Sequence, residues 1–242
     1  MKKILLILLC FLIFSNMATA KTKTPTDENA ILQSEAEIIL NDMQIQNKIS
    51  NIGFKLLNAN KIDVRMAFIY DKKNKKLISE KSLTDRQIVV YKDLIQFAAD
   101  DAEIAAFLAR EICKTAESYA GTLKGIIGAT QIKCAPKKYE IFFDERAVDY
   151  LVKAGYNPLA LITFINKSYP QKRYDKISTH NLTSKRLANI YEYIYFQYPS
   201  FLANNEYLEN EAYQHFLLSS IENRRKLQEK IKTGSKEKVE YE

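Results

Sequence analysis

Residues 101–114, D-A-E-I-A-A-F-L-A-R-E-I-C-K, decide how this chain is read. Ala102, Ile104, Ala105, Leu108, Ile112 and Ala116 recur at helical spacing, which predicts a helix with one broad apolar face. Asp101 and Glu103 fall in its first turn, where negative charge suits the helix dipole. Toward its end, Arg110-Glu111-Ile112-Cys113-Lys114 sets two cations one turn apart, with a carboxylate beside the first.

That five-residue run has the frame of a metallopeptidase helix motif, H-E-x-x-H. The Glu is kept at Glu111, and both His are replaced, by Arg110 and Lys114. In the intact motif two imidazoles share a face and bind zinc, and the Glu is general base toward zinc-bound water. Three further segments follow the same frame. Asp144-Glu145-Arg146-Ala147-Val148-Asp149, with Ala154-Gly155-Tyr156-Asn157-Pro158, resembles an E-x-x-A-D … A-G-Y-D-P segment. Ser178-Thr179-His180-Asn181, with Lys185-Arg186-Leu187, resembles S-T-H-P … R-L, and Gln87-Ile88-Val89-Val90-Tyr91-Lys92-Asp93-Leu94 resembles I-V-V-x-x-G-L-L. In this order, over roughly residues 30–200, they resemble the zinc metallopeptidase family of the CAAX prenyl endopeptidase, the heat-shock protease HtpX and the periplasmic beta-barrel assembly-enhancing protease.

The resemblance implies an α+β, zincin-like (gluzincin) fold, mostly helical with a small sheet whose edge strand, near residues 87–91, aligns extended peptide. It puts the family's zinc ligands on Arg110, Lys114 and Glu145, the catalytic Glu on Glu111, and a His near the metal on His180. Arg offers donors and no lone pair, and Lys coordinates only when neutral, so Glu145 and His180 are left as too few ligands. No metal or other cofactor is expected here, although the family uses zinc. Two cations would then meet Glu111 and Glu145 where the metal stood, and Glu145 is expected in an ion pair with Arg110 or Lys114. Cys113, Glu117, Glu145 and His180 form an alternative metal set. The implied function is that of a pseudopeptidase binding extended polypeptide or an envelope protein in cell-envelope quality control. The alternative is an active metalloendopeptidase with an unorthodox metal site, catalytic at Glu111 with His180.

The address agrees with an envelope role. Lys2 and Lys3, an apolar run over residues 4–14 and Ala18-Thr19-Ala20 read as a signal peptide cleaved before Lys21. Its removal takes the formal charge from +7 to +5. The exported product is expected in the periplasm or secreted, peripheral to a membrane at most. Positive charges are spread along the chain without interleaved aromatics, which argues against nucleic acid. Cys113 and Cys134 remain in the mature chain, either bridged or as two thiols.

In the chain as a whole, 242 residues suffice for one sizeable core. A disordered linker over 21–29 precedes a metallopeptidase-like domain over 30–200, a C-terminal helix over 201–232 and a disordered tail over 233–242. Within the domain a long amphipathic helix spans 30–58, and strands fall at 64–70, 76–79 and 88–91. A short helix begins at 93 and a connection of irregular or weakly helical character covers 121–136. Helices then follow over 139–154, 158–168 and 183–198, the first ending at Gly155. Tyr191, Tyr193, Tyr195 and Tyr198 read as a packing face, and His215 as a structural residue.

Overall fold

The structure, a computed structural model, describes residues 25–73, 85–120, 125–169 and 179–242, with side chains from residue 33 on. It divides into two units, Met1–Met43 and Gln44–Glu242. Helix α1 (Pro25–Ala59) runs through that division. Residues 25–29, expected to be disordered, are thus helical. In the first unit α1 exposes Ile38, Ile39, Leu40 and Met43.

The second unit is mostly helical, with a two-stranded parallel sheet. After α1 come β1 (Ala67–Asp71), β2 (Gln87–Tyr91), α2 (Lys92–Phe97) and α3 (Asp101–Ser118). The chain continues through α4 (Ile126–Cys134), α5 (Pro136–Lys153), α6 (Leu159–Ser168) and α7 (Thr183–Gln197). It finishes with α8 (Pro199–Ala203), α9 (Glu211–Ser219) and α10 (Ile221–Thr233). Strand β1 pairs in parallel with β2, Ala67 opposite Gln87 and Asp71 opposite Tyr91. The strand expected at 76–79 lies outside the described residues.

Helix α3 sits at the centre, packed against α4, α5, α6 and β2. Every side chain from Glu103 to Cys113 is buried, so the helix is enclosed on all sides and not along one face. Ala105, Ala106 and Ala109, all fully buried, let neighbours approach where larger residues would hold them off. Asp100 caps the helix, its Oδ1 accepting from the Glu103 N–H at 2.8 Å. Glu103 Oε2 accepts in return from the Ala99 N–H at 2.7 Å, one residue before the N–H that a capping box engages. Glu103 is fully buried. Its carboxylate also accepts from Thr163 Oγ1 at 2.6 Å and Lys167 Nζ at 2.5 Å, so it ties α3 to α6 and does more than face the dipole.

Three expectations are sharpened or changed. The connection before Pro136 takes the helical alternative in α4, and Pro136 itself opens α5, where its missing N–H costs nothing. The single C-terminal helix is three, broken around residues 204–210 and at Ser220. The tail packs back onto the fold: Tyr241 is buried and its hydroxyl donates to Glu192 Oε2 at 2.6 Å. The Glu242 backbone exchanges hydrogen bonds with the Asn223 side chain. Burying one aromatic ring in a closed hydrogen-bond set is enough to order a stretch whose charge suggested otherwise. Tyr191, Tyr193 and Tyr198 pack against the core, Tyr193 and Tyr198 donating to Asp149 Oδ1 at 2.9 and 2.8 Å, whereas Tyr195 is exposed.

One glycine is fixed by close approach. A Cβ at Gly53 on α1 would stand 2.5 Å from the ring of Phe68 on β1. That ring is buried and packs edge-on against Phe54, with centroids 5.4 Å apart. Gly53→Ala gains about 1 kcal/mol of helix propensity but overpacks the strand contact, at about 1–3 kcal/mol. A net loss of stability is expected, read as a lower urea midpoint with unchanged slope. A midpoint equal to or above that of the unmodified chain shows that the contact is not tight.

Candidate functional site

Helix α5 faces α3 with Glu140, Phe143, Asp144, Ala147, Val148 and Leu151, all buried. These recur at three- and four-residue spacing, and Glu145 lies off that face, half-buried. The helix phase therefore decides which carboxylate meets α3. It is Asp144 and not Glu145. Arg110 Nε donates to Asp144 Oδ1 at 2.6 Å. From α7, Arg186 Nε donates to Oδ2 at 2.8 Å and its Nη2 to Oδ1 at 3.0 Å, a bidentate pair. Arg110 is 5%, Arg186 2% and Asp144 1% exposed, so this Arg-Asp-Arg group is almost wholly buried. Tyr169 covers it: its hydroxyl accepts from Arg110 Nη1 at 3.2 Å. Its ring lies 4.8 Å from the Arg186 guanidinium and 5.8 Å from that of Arg110.

The expected ion pair of Glu145 with Arg110 or Lys114 is thus corrected: Arg110 pairs with Asp144, and Lys114 pairs with Glu111 on its own helix. The cation acting most strongly on Glu145 is Lys238. Burial raises the Glu145 pKa, Lys238 opposes the rise, and Asp144, Asp149 and Glu192 add to it. Burial alone would also raise the Asp144 pKa. Arg186 and then Arg110 outweigh it and hold the carboxyl below its ordinary value. Burial works against the Arg110 charge too, yet Asp144, with Tyr169 and Glu111, more than offsets it and the pKa moves further up.

His180 takes a different partner from the one the resemblance implies. Its Nδ1 lies 2.6 Å from Glu140 Oε1. Glu140 Oε2 accepts from the Asn181 N–H at 2.7 Å and from its side-chain amide at 3.0 Å. Glu140 thereby fastens the His180-Asn181 loop to α5. The four-residue set of Cys113, Glu117, Glu145 and His180 is not assembled. Burial raises the pKa of the Cys113 thiol, with a hydrogen bond to Tyr150 opposing the rise, and His180 is held at Glu140. Among the described residues no three His, Cys, Asp or Glu side chains form a group able to hold a metal. Cys113 is buried, Cys134 is exposed, and both are free thiols.

These side chains line one cavity of about 570 Å³, a volume within the range of small-ligand sites. Arg110, Lys114 and Arg186 line it together with Glu140 and His180, and Ile132, Phe143 and Tyr169 add apolar and aromatic surface. The residues do not fit zinc. Arg110 has no lone pair to give, Lys114 is engaged as an ammonium by Glu111, and both Asp144 oxygens accept from guanidinium groups. No family model, curated protein or solved structure matches the chain. The resemblance therefore stands on the sequence segments that carry it.

Asp144, Arg186, Glu140 and Tyr169 are functional candidates that motif reading passed over. The signal for Asp144 was present. Aligning E-x-x-A-D on Ala147, which is fully buried, puts Asp144 in the first position; aligning on Asp149 gives Glu145. Asp144→Ala is expected to lower stability by about 3–5 kcal/mol, since it strands two buried cations. Glu145→Ala is expected to cost under about 1 kcal/mol. Asp144 has a depressed folded pKa, so its contribution is complete above its unfolded value of about 3.9 and drains as pH falls below that. The stability gap between the unmodified chain and Asp144→Ala should stay level from neutral pH to about 4 and narrow under more acid conditions. Chemical denaturation across pH measures it, and a gap that widens in acid contradicts the assignment.

Proposed function

We propose that this chain is an exported, non-catalytic relative of the zinc metallopeptidases named above, a pseudopeptidase that binds extended polypeptide in cell-envelope quality control. The observation that carries the reading is the engagement of Arg110 by Asp144. In the family's frame these are a ligand position on the motif helix and the carboxylate facing it from the second helix. Here a covalent cation stands opposite that carboxylate, and the cavity beside it stays open. A chain that keeps the cleft and replaces the metal with a side-chain charge keeps a means of binding without a means of activating water.

The binding mode rests on the cavity and not on strand addition. Ile88, Val89, Val90 and Tyr91 of β2 are all buried, which leaves the strand poorly placed to receive a peptide. Export rests on the leader sequence, which lies outside the described residues. Among the described residues no helix is long and apolar enough to cross a membrane.

The mature protein, purified without added metal, should carry well under one zinc per chain and should leave an unstructured substrate such as casein intact. Elemental analysis and a cleavage assay test both statements. Stoichiometric zinc removed by a chelator, together with cleavage lost in Glu111→Gln, establishes instead a live peptidase with an unorthodox ligand set.

A further inference from the structure

The Arg-Asp-Arg group carries two cations for one carboxylate, and its surplus is directed. Arg186 commits Nε and Nη2 to Asp144, and Arg110 commits Nε to Asp144 and Nη1 to Tyr169. Arg186 Nη1 and Arg110 Nη2 have no partner among the described residues. Neither belongs to the buried polar atoms that lack a hydrogen bond. Both residues line the cavity, so these remaining N–H groups open into it. Around the cavity Arg110, Arg186, Lys114 and Lys133 face Asp144, Glu111 and Glu140, leaving positive charge in excess before His180 is counted. Glu140 is occupied by His180 and Asn181, so it repels an incoming anion less than a bare carboxylate would.

We infer that the cavity binds a carboxylate through Arg110 and Arg186, and that its source is the C-terminal end of a polypeptide. This rests on the polypeptide-binding reading and deepens it. Guanidinium groups present planar pairs of donors that match a carboxylate, and partial enclosure strengthens the charge-assisted bonds. Asp144 holds both arginines in place, so little side-chain freedom is lost on binding. Ile132, Pro136 and Phe143 form the apolar wall beside the cations. That wall suits an apolar side chain on the last residue of the ligand, and the cavity volume can hold that residue beside its carboxylate.

The test is calorimetric titration of the mature protein with N-acetyl-Ala-Leu-Phe as the free acid and as the amide. The acid should bind, and the amide should bind about tenfold more weakly or worse, the loss of one charge-assisted contact. Arg186→Lys keeps a charge for Asp144 and loses the fork, and should weaken the acid more than the amide, narrowing the difference between them. Should that variant not fold, the acid and amide comparison on the unmodified chain decides alone. Equal binding of acid and amide overturns the carboxylate and leaves polypeptide binding standing. An amide with an internal Glu that binds as well as the acid overturns the chain end as the source. Acetate or inorganic phosphate binding where neither peptide does overturns the inference and removes the site from the polypeptide reading. No binding by any probe overturns both.

Discussion

Asp144 is the point on which the architecture of the site turns. Four elements or their ends converge there: α3 through Arg110, α5 through Asp144 itself, α6 through Tyr169 at its C-terminal end, and α7 through Arg186. Burying three charged groups costs desolvation energy that mutual attraction recovers only with good geometry. The distances, 2.6 to 3.0 Å with one bidentate fork, supply it. Such a group is weak evidence for added stability relative to an apolar core. It is stronger evidence for specificity, because any packing of α5 or α7 that shifted these helices would strand a charge.

Glu103 repeats the logic in the first turn of α3. It is fully buried yet meets Ala99, Thr163 and Lys167, so the helix is pinned by carboxylates at its start and at its middle. The helix between them carries alanines that admit neighbours on every side. A central helix tied in this way gives Arg110 and Lys114 fixed positions. The cavity wall is therefore part of the core and not an appendage of a loop.

Much of this was legible in the sequence. The central helix, the two described strands and helices α5, α6 and α7 follow from periodicity, Pro158 and Gly155. What escaped was phase. Ala147 and Asp149 offered two frames one residue apart, and one residue on a helix is a rotation of about 100°. The buried set Phe143, Ala147, Val148 and Leu151 fixes the inward face and would have chosen Asp144. The role of Arg186 was hidden for another reason. It lies 42 residues from its partner, and long-range ion pairs leave no local pattern. The C-terminal tail misled through composition, because one buried tyrosine outweighs several solvated lysines.

A charge carried on a side chain differs in kind from one held by ligands. A coordinated ion exchanges with the surrounding pool, and its occupancy follows supply and competition. The guanidinium of Arg110 cannot dissociate, and its charge persists at any pH the fold survives. The centre of this site is therefore complete as soon as the chain has folded. Neither scarcity of metal nor a chelator can empty it, and only unfolding can.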